Sequence, residues 1–218
     1  MFLRKFIRVA KQIIPFNKVI QTLIVSDFIL FFGWGLVSPI LAIFIADKIK
    51  GGNVQVAGTA VGVYWLIKSL AQLPIAHYLD KNHGEKDDYY AMFGGTLAAS
   101  FVSLGFIFAS LPWHIYALEA CHGLAMAFVL PSYSAIFTRH LDRGKEALSW
   151  GMDSCFLGIG SGLAGILGGI GAEIFGFTPL FLGVFVFGAV ASLLLLIILN
   201  DLKIRTRDGK APFLKPEF

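Results

Sequence analysis

Charge and cysteine are both scarce in this sequence. Only 15% of its 218 residues are charged, whereas 56% are hydrophobic. This composition excludes an ordinary soluble domain and is typical of a protein that crosses a membrane several times. The two cysteines, Cys121 and Cys155, both fall inside long apolar stretches. They are interpreted as small buried residues, so we expect neither a disulfide nor a metal site.

The motifs of membrane-embedded enzymes are also missing. An intramembrane serine protease needs a Gly-x-Ser-Gly nucleophile and a histidine on a later span. Ser161 is preceded by Ile159-Gly160, and the last apolar stretch of the chain contains no histidine. Cysteine and histidine do not occur at the spacing of a metal site. We therefore expect no catalytic residues, no cofactor and no metal.

Six apolar stretches are each long enough for a membrane-spanning helix, which needs about 20 residues. They predict an all-α transmembrane domain over residues 19–200, with spans at about 19–46, 57–79, 89–110, 113–137, 146–172 and 177–200. Residues 1–16 have one basic and one apolar helical face, which predicts an amphipathic helix on the membrane surface. Residues 201–218 form a charged tail that is expected to serve as a cytoplasmic terminus.

The positions of the basic residues predict the orientation. Fifteen of the 18 lysines and arginines lie before span one, after span six, or in the loops that follow spans two and four. The positive-inside rule places these segments in the cytoplasm. We expect a multi-pass protein of the cytoplasmic membrane with both termini inside. The net charge of +4 is explained by this topology, so no nucleic-acid partner is expected.

Ionisable side chains occur inside the predicted spans, where a charge costs at least ~2.5–3.5 kcal/mol at a helix centre. They normally face a wet cavity or the bundle interior, although structural ion pairs or positions near a helix end are alternatives. Glu119 and His122 are three residues apart and form a candidate proton-handling pair. The candidates for ion coupling are Asp27, Glu119, His122 and Asp153.

Aromatic and polar residues share helical faces with these ionisable groups. The pattern predicts a solute cavity, with ordinary aromatic packing as the alternative because the chain has 21 phenylalanines. The predicted lining residues are Asp27, Phe31, Trp34, Tyr64, Lys68, Gln72, Glu119, His122 and Met126.

Glycine is concentrated in span five. Small residues in a membrane helix let another helix approach closely. We expect one face, which includes Gly151, Gly158, Gly162, Gly165 and Gly169, to pack against another helix. The complete set of predicted packing glycines is Gly151, Gly158, Gly160, Gly162, Gly165, Gly168 and Gly169.

Three local patterns resemble the N-terminal six-helix half of a major facilitator superfamily transporter. Residues 76–86, AHYLDKNHGEK, are similar to the family's loop signature after span two, with Ala76 in place of the leading glycine and Gly84 one residue late. Residues 119–123, EACHG, fall where the family often has Arg-x-x-Gln-Gly, with the charge reversed at Glu119. Residues 151–169 follow the glycine spacing of the family's antiporter motif, with Ala-Gly in place of Gly-Pro.

The resemblance implies a secondary transporter of a small organic solute that works by alternating access. The family has two six-helix halves related by an axis along the membrane normal. Two copies of this chain are expected to rebuild the twelve-helix transporter as a parallel homodimer. Spans one and four would then line the cavity, and span two would cross the partner's span five. Spans three and six would face the lipid bilayer. The alternatives are a heteromeric half-carrier and a non-transporting membrane subunit.

The resemblance also implies a gate at the cytoplasmic ends of the spans. Asp80 is expected near the N-terminus of the partner's span five, with Arg139 or Arg143 sharing the contact. Lys68 is expected to pair with Asp27 in its own chain or with Asp153 of the second copy. The glycine motif favours export of a drug-like molecule, and the polar cavity would also suit a sugar or an amino-acid-like solute. The gating set is Asp80, Lys81, Gly84, Arg139 and Arg143.

Overall fold

The computed structural model describes residues 17–82 and 84–202. In this range the chain is all-helical, with six helices long and apolar enough to cross a membrane. The predicted surface helix over residues 1–16 and most of the predicted tail lie outside the described residues. Numbered in chain order, the six spans are Lys18–Lys48, Val54–Lys81, Glu85–Phe108, Pro112–Arg139, Glu146–Phe175 and Phe177–Ile198.

Span one is interrupted after its first helix. That helix covers Lys18–Gly35, a 3-10 turn covers Ser38–Ile40, and a second helix covers Leu41–Lys48. Pro39 cannot donate a backbone hydrogen bond, and the Ser38 hydroxyl donates to the carbonyl oxygen of Trp34 at 2.8 Å. The interruption exposes backbone oxygens around residue 36 toward span five.

The spans pack in an order that differs from their order in the chain. Span two packs on span four, span four on span three, span three on span six, span six on span one, and span one on span five. Spans two and five therefore lie at the two ends of this series. In the most apolar 18-residue segment of each of these two spans only 17% of the residues are buried, compared with 56% in span four. Both end spans leave most of their surface without a protein neighbour in the described chain.

Each neighbouring pair in this series is close enough that a glycine is required at the crossing. A β-carbon at Gly123 of span four, for example, would lie 2.6 Å from the carbonyl oxygen of Tyr64 in span two. Small residues permit this separation, which strengthens van der Waals contact between membrane helices. The other crossings have Gly95 (spans three and four), Gly188 (three and six), Gly33 (one and six) and Gly160 and Gly168 (one and five).

The bundle has two ends that contain different loops. The end with Lys18, the loops after spans two and four, and the end of span six is called the termini end. The opposite end contains the other three loops. A buried apolar cluster lies toward each end, with Leu23 and Phe137 in the first and Phe44 and Phe181 in the second. The candidate site lies between spans one and four, which contribute residues to both clusters.

Candidate functional site

A cavity of about 390 Å³ is formed by spans one, two, four and five. Six of the nine predicted lining residues border it: Phe31, Trp34, Tyr64, Glu119, His122 and Met126. Val61, Trp65 and Ser161 also line it, and the first two are about half exposed. The cavity is therefore open on the side that lies between the two end spans.

His122 lies between two aromatic rings from different spans. Its ring stacks on Trp34 of span one, with centroids 3.7 Å apart and an 11° angle between the planes. The Tyr64 ring of span two approaches it at 4.8 Å. The Nδ1 atom of His122 is 3.7 Å from Oε2 of Glu119, which is longer than a hydrogen bond but allows an ion pair when the imidazole is protonated. His122 thus joins spans one, two and four at the cavity wall.

Lys68, Gln72 and Asp27 do not border this cavity. The Lys68 ammonium group lies over the ring of Trp65, 4.6 Å from its centroid. It makes no ion pair with any described residue, so the pair with Asp27 that the sequence suggested is not formed. The reason is packing, because span two lies against span four and not against the helix that carries Asp27.

Asp27 belongs instead to a second polar group closer to the termini end. Its side chain is buried, as are those of Asp153 in span five and Tyr133 in span four. The Tyr133 hydroxyl donates a hydrogen bond of 2.6 Å to Oδ1 of Asp153. Tyr133 was not among the residues predicted from sequence, and an isolated tyrosine near the end of an aromatic-rich span carries no distinguishing pattern.

A family model described as Major Facilitator Superfamily matches residues 23–216. The chain belongs to the major facilitator superfamily. Among solved structures, the crystal structure of the POT family transporter PepTSo, determined in meso, is similar with a TM-score of 0.68 and 16% identity. The match covers 91% of this chain and 41% of that one, so the chain spans less than half of the transporter. Among curated proteins no relative matches.

The match identifies the chain as a six-helix piece with the fold of one major facilitator half. Six apolar helices and the family together make it a multi-pass membrane protein. Glu119, at the position where the family often has arginine, points to the cavity and to His122. Glu119, whose charge is opposite to that of the family's arginine, is therefore part of the cavity wall.

The major facilitator loop after span two is close to an ion pair that the sequence did not predict. Arg139, at the end of span four, binds the Asp88 carboxylate in the first turn of span three. Asp88 is buried, and Asp80 and Asp87 both interact with it electrostatically. Asp80, Lys81 and Arg143 are exposed. Within one chain Arg139 thus bridges spans three and four, whereas Asp80 and Arg143 form no ion pair with any residue that the structure describes.

Removing this ion pair is expected to destabilise the termini end. Arg139→Ala leaves the Asp88 carboxylate buried without its cation, and we expect a loss of about 2 kcal/mol, between the values for exposed and buried pairs. Thermal unfolding in detergent measures the effect. Arg143→Ala, which removes an exposed arginine four residues later, is the matched control and is expected to unfold like the unmodified protein. Equal losses in both variants would contradict the assignment.

The glycines of span five divide into two groups. Gly160, Gly165 and Gly168 face span one, and a β-carbon at Gly168 would lie 1.9 Å from the Leu36 carbonyl oxygen. The second group has no atom of the described chain within 4 Å of an added β-carbon: Gly151, Gly158, Gly162 and Gly169. Gly165, expected on the second face, instead faces Pro39: a β-carbon added at Gly165 would lie 3.4 Å from Cγ of Pro39, because the interruption of span one brings residue 39 against span five.

Span two, the other end span, has the same open character. Gly58 and Gly62, one helical turn apart, also have no described atom within 4 Å of an added β-carbon. Each end span therefore carries a strip of small residues that is unoccupied in a single chain.

Proposed function

We propose that the protein is a secondary active transporter that moves a small organic solute by alternating access between two six-helix halves. The observation that carries the proposal is the cavity between spans one, two, four and five, which one chain leaves open on one side. A volume of about 390 Å³ is within the range of small-molecule sites. Its wall combines aromatic rings with two polar groups, Glu119 and His122, which suits a small solute with both apolar and polar parts.

The second half is proposed to be a second copy of the same chain. Spans two and five are the least buried spans, and both have open strips of small residues. A parallel two-fold axis along the membrane normal sets span two of one copy against span five of the other, so that each open strip is covered. The second copy also closes the open side of the cavity.

The membrane environment follows from the charge and apolar patterns. The termini end carries most of the basic residues and is proposed to face the cytoplasm. The outer faces of spans three and six present exposed apolar side chains to lipid, among them Phe101, Phe108, Val186 and Val190. Protons are the proposed coupling ion, because two buried carboxyl groups in the spans, Asp27 and Asp153, have no cation partner among the described residues.

Reconstitution in liposomes with a panel of organic solutes, with and without a proton gradient, tests the transport proposal. We expect uptake of at least one solute, and a rate that depends on the gradient. Empty liposomes and a Trp34→Ala variant are the controls. A panel that gives no uptake, from a protein shown to be folded and dimeric in the same liposomes, would contradict transport. A protein that stays monomeric in lipid would favour a heteromeric carrier or a non-transporting subunit.

Asp80 is proposed to hold the cytoplasmic side closed by meeting the N-terminus of the partner's span five, where the helix dipole favours an anion. Asp80→Asn is expected to weaken that closed state by roughly 1 kcal/mol. Labelling of a single cysteine on the cytoplasmic side of the cavity, with Cys121 and Cys155 replaced by serine, should become about fivefold faster. Asp47→Asn at the opposite end is the control. An unchanged labelling rate in Asp80→Asn would contradict the proposal that Asp80 holds the cytoplasmic side closed.

A further inference from the structure

The buried group formed by Asp27, Tyr133 and Asp153 is separate from the solute cavity. Asp27 is two helical turns before Trp34 in span one, about 10 Å along the helix axis. Asp153 is likewise two turns before Ser161 in span five, and none of the three side chains borders the cavity. The group therefore occupies its own level in the membrane, between the cavity and the termini end.

The two carboxyl groups are partnered unequally. Asp153 accepts the hydrogen bond from the Tyr133 hydroxyl. Asp27 is 8% exposed and makes no hydrogen bond or ion pair with any residue that the structure describes. Its carboxyl group interacts electrostatically with Asp153 and with Tyr133, which places it in the same group. Asp27 is therefore a buried carboxyl group that has no hydrogen-bond or ion-pair partner among the described residues and that interacts electrostatically with a second carboxylate.

The charges around the group do not balance. Asp27 lies on span one, whose neighbours are spans five and six, with span four close by. The titratable groups that face it are Asp153 from span five and Tyr133 from span four, and span six contains no ionisable residue. Two carboxylates buried without a cation are strongly unfavourable in a low-dielectric interior, and such pairs bind a proton.

We propose that Asp27, Tyr133 and Asp153 form a proton-binding site that holds one proton between its two carboxyl groups. The proton enters from water and forms an O–H bond on one carboxylate, which then donates a hydrogen bond to a neighbouring oxygen. The Tyr133 hydroxyl keeps its own proton and orients Asp153. A metal ion fits less well, because the described residues offer no group of three or more side chains arranged to ligate one.

Binding of a proton at this site is expected to change how spans one, four and five pack. The three residues of the site come from spans one, four and five, so protonation changes the repulsion between spans that also form the cavity wall. As a coupling site it rests on the proposed transport function, whereas the binding of a proton does not. The residues that bind the solute and those that bind the proton are then different, with Glu119 and His122 assigned to the cavity.

Infrared titration of the purified protein tests proton binding without any need for transport. Isotope labelling of aspartate carboxyl groups separates their protonated C=O band from that of Glu119. We expect a labelled band at neutral pH that is lost in Asp27→Asn and weakened in Asp153→Asn, because burial of Asp27 still favours its neutral form when the second carboxylate is removed. Tyr133→Phe should retain the band and enlarge it at a given pH, because a carboxylate that loses a hydrogen-bond donor binds a proton more tightly. Asp47→Asn, at an exposed position near the end of span one, should leave it unchanged.

Two results would overturn the proposal. One is a labelled band that persists undiminished in Asp27→Asn, and the other is a band that sodium removes at constant pH, which would identify a sodium site. In liposomes, Asp27→Asn is expected to exchange solute across the membrane, but its gradient-driven accumulation of solute should be at least tenfold lower than that of the unmodified protein. If the unmodified protein transports no solute, the proposed function fails, and the infrared result still decides whether the site binds a proton.

Discussion

Leucine at Gly162 is expected to abolish the homodimer and to leave the single chain folded. No described atom lies within 4 Å of a β-carbon added at Gly162, so the described part of the chain leaves open space where the leucine side chain begins. In the proposed dimer it meets the partner's span two and prevents the close approach that small residues permit. We expect dimer affinity to fall at least ~100-fold, about 2.7 kcal/mol, as measured by mass determination in lipid nanodiscs at several protein concentrations.

Gly168 provides the contrasting variant on the same helix. A β-carbon there would lie 1.9 Å from the Leu36 carbonyl oxygen, so even alanine forces spans one and five apart. Gly168→Ala is expected to destabilise the single chain by about 3 kcal/mol, the upper part of the range for an overpacked core. Thermal unfolding therefore separates the two groups of glycines. A Gly162→Leu protein that remains dimeric would refute the assignment of the open strip to the dimer interface.

The second large effect is expected at His122. His122→Ala removes the ring that fills the space between Trp34 and Tyr64 and leaves Glu119 without its nearest basic group. We expect solute uptake in liposomes to fall at least tenfold, because both the shape of the cavity wall and its polar pair are lost. The dependence of the residual rate on the proton gradient should remain, because the proposed proton site at Asp27 and Asp153 is separate from the cavity.

His122→Phe distinguishes these two causes. Phenylalanine keeps a flat ring that can stack on Trp34 but has no nitrogen to interact with Glu119. Loss of uptake in both variants indicates that the imidazole is needed, whereas recovery in His122→Phe indicates a packing role alone. Dimer mass should stay unchanged in both, because His122 is buried within one chain. Uptake that is unaffected in His122→Ala would remove the residue from the proposed site.

Much of the architecture could be predicted from the sequence because membrane helices are determined by local composition. Long apolar runs specified the six helices, and six of the nine residues predicted to line a cavity border the cavity in the structure. Spacing shows which residues share a face but not which helix that face meets. Asp27 and Trp34 share a face of span one, yet Trp34 borders the cavity whereas Asp27 interacts electrostatically with Asp153 of span five and Tyr133 of span four.

Other details depend on tertiary geometry that has no local signal. Tyr133 acquires its importance only because span five places Asp153 beside it. The Arg139–Asp88 ion pair requires spans three and four to lie against each other at the termini end. Gly165 faces Pro39 because span one is interrupted. Glycine and proline within a predicted span indicate that the helix can be interrupted, but they do not predict the direction in which the chain then runs. The order of the spans in space is the common cause of these differences.

That order also constrains how the protein is made. The main neighbours of span one are spans five and six, which are synthesised only after spans two to four. Until they enter the bilayer, the Asp27 side chain lacks most of its protein surroundings, which is costly for an acidic group in hydrocarbon. Ribosome-bound chains that have completed four spans are therefore expected to keep span one near the insertion machinery. Its release into lipid should coincide with the arrival of span five.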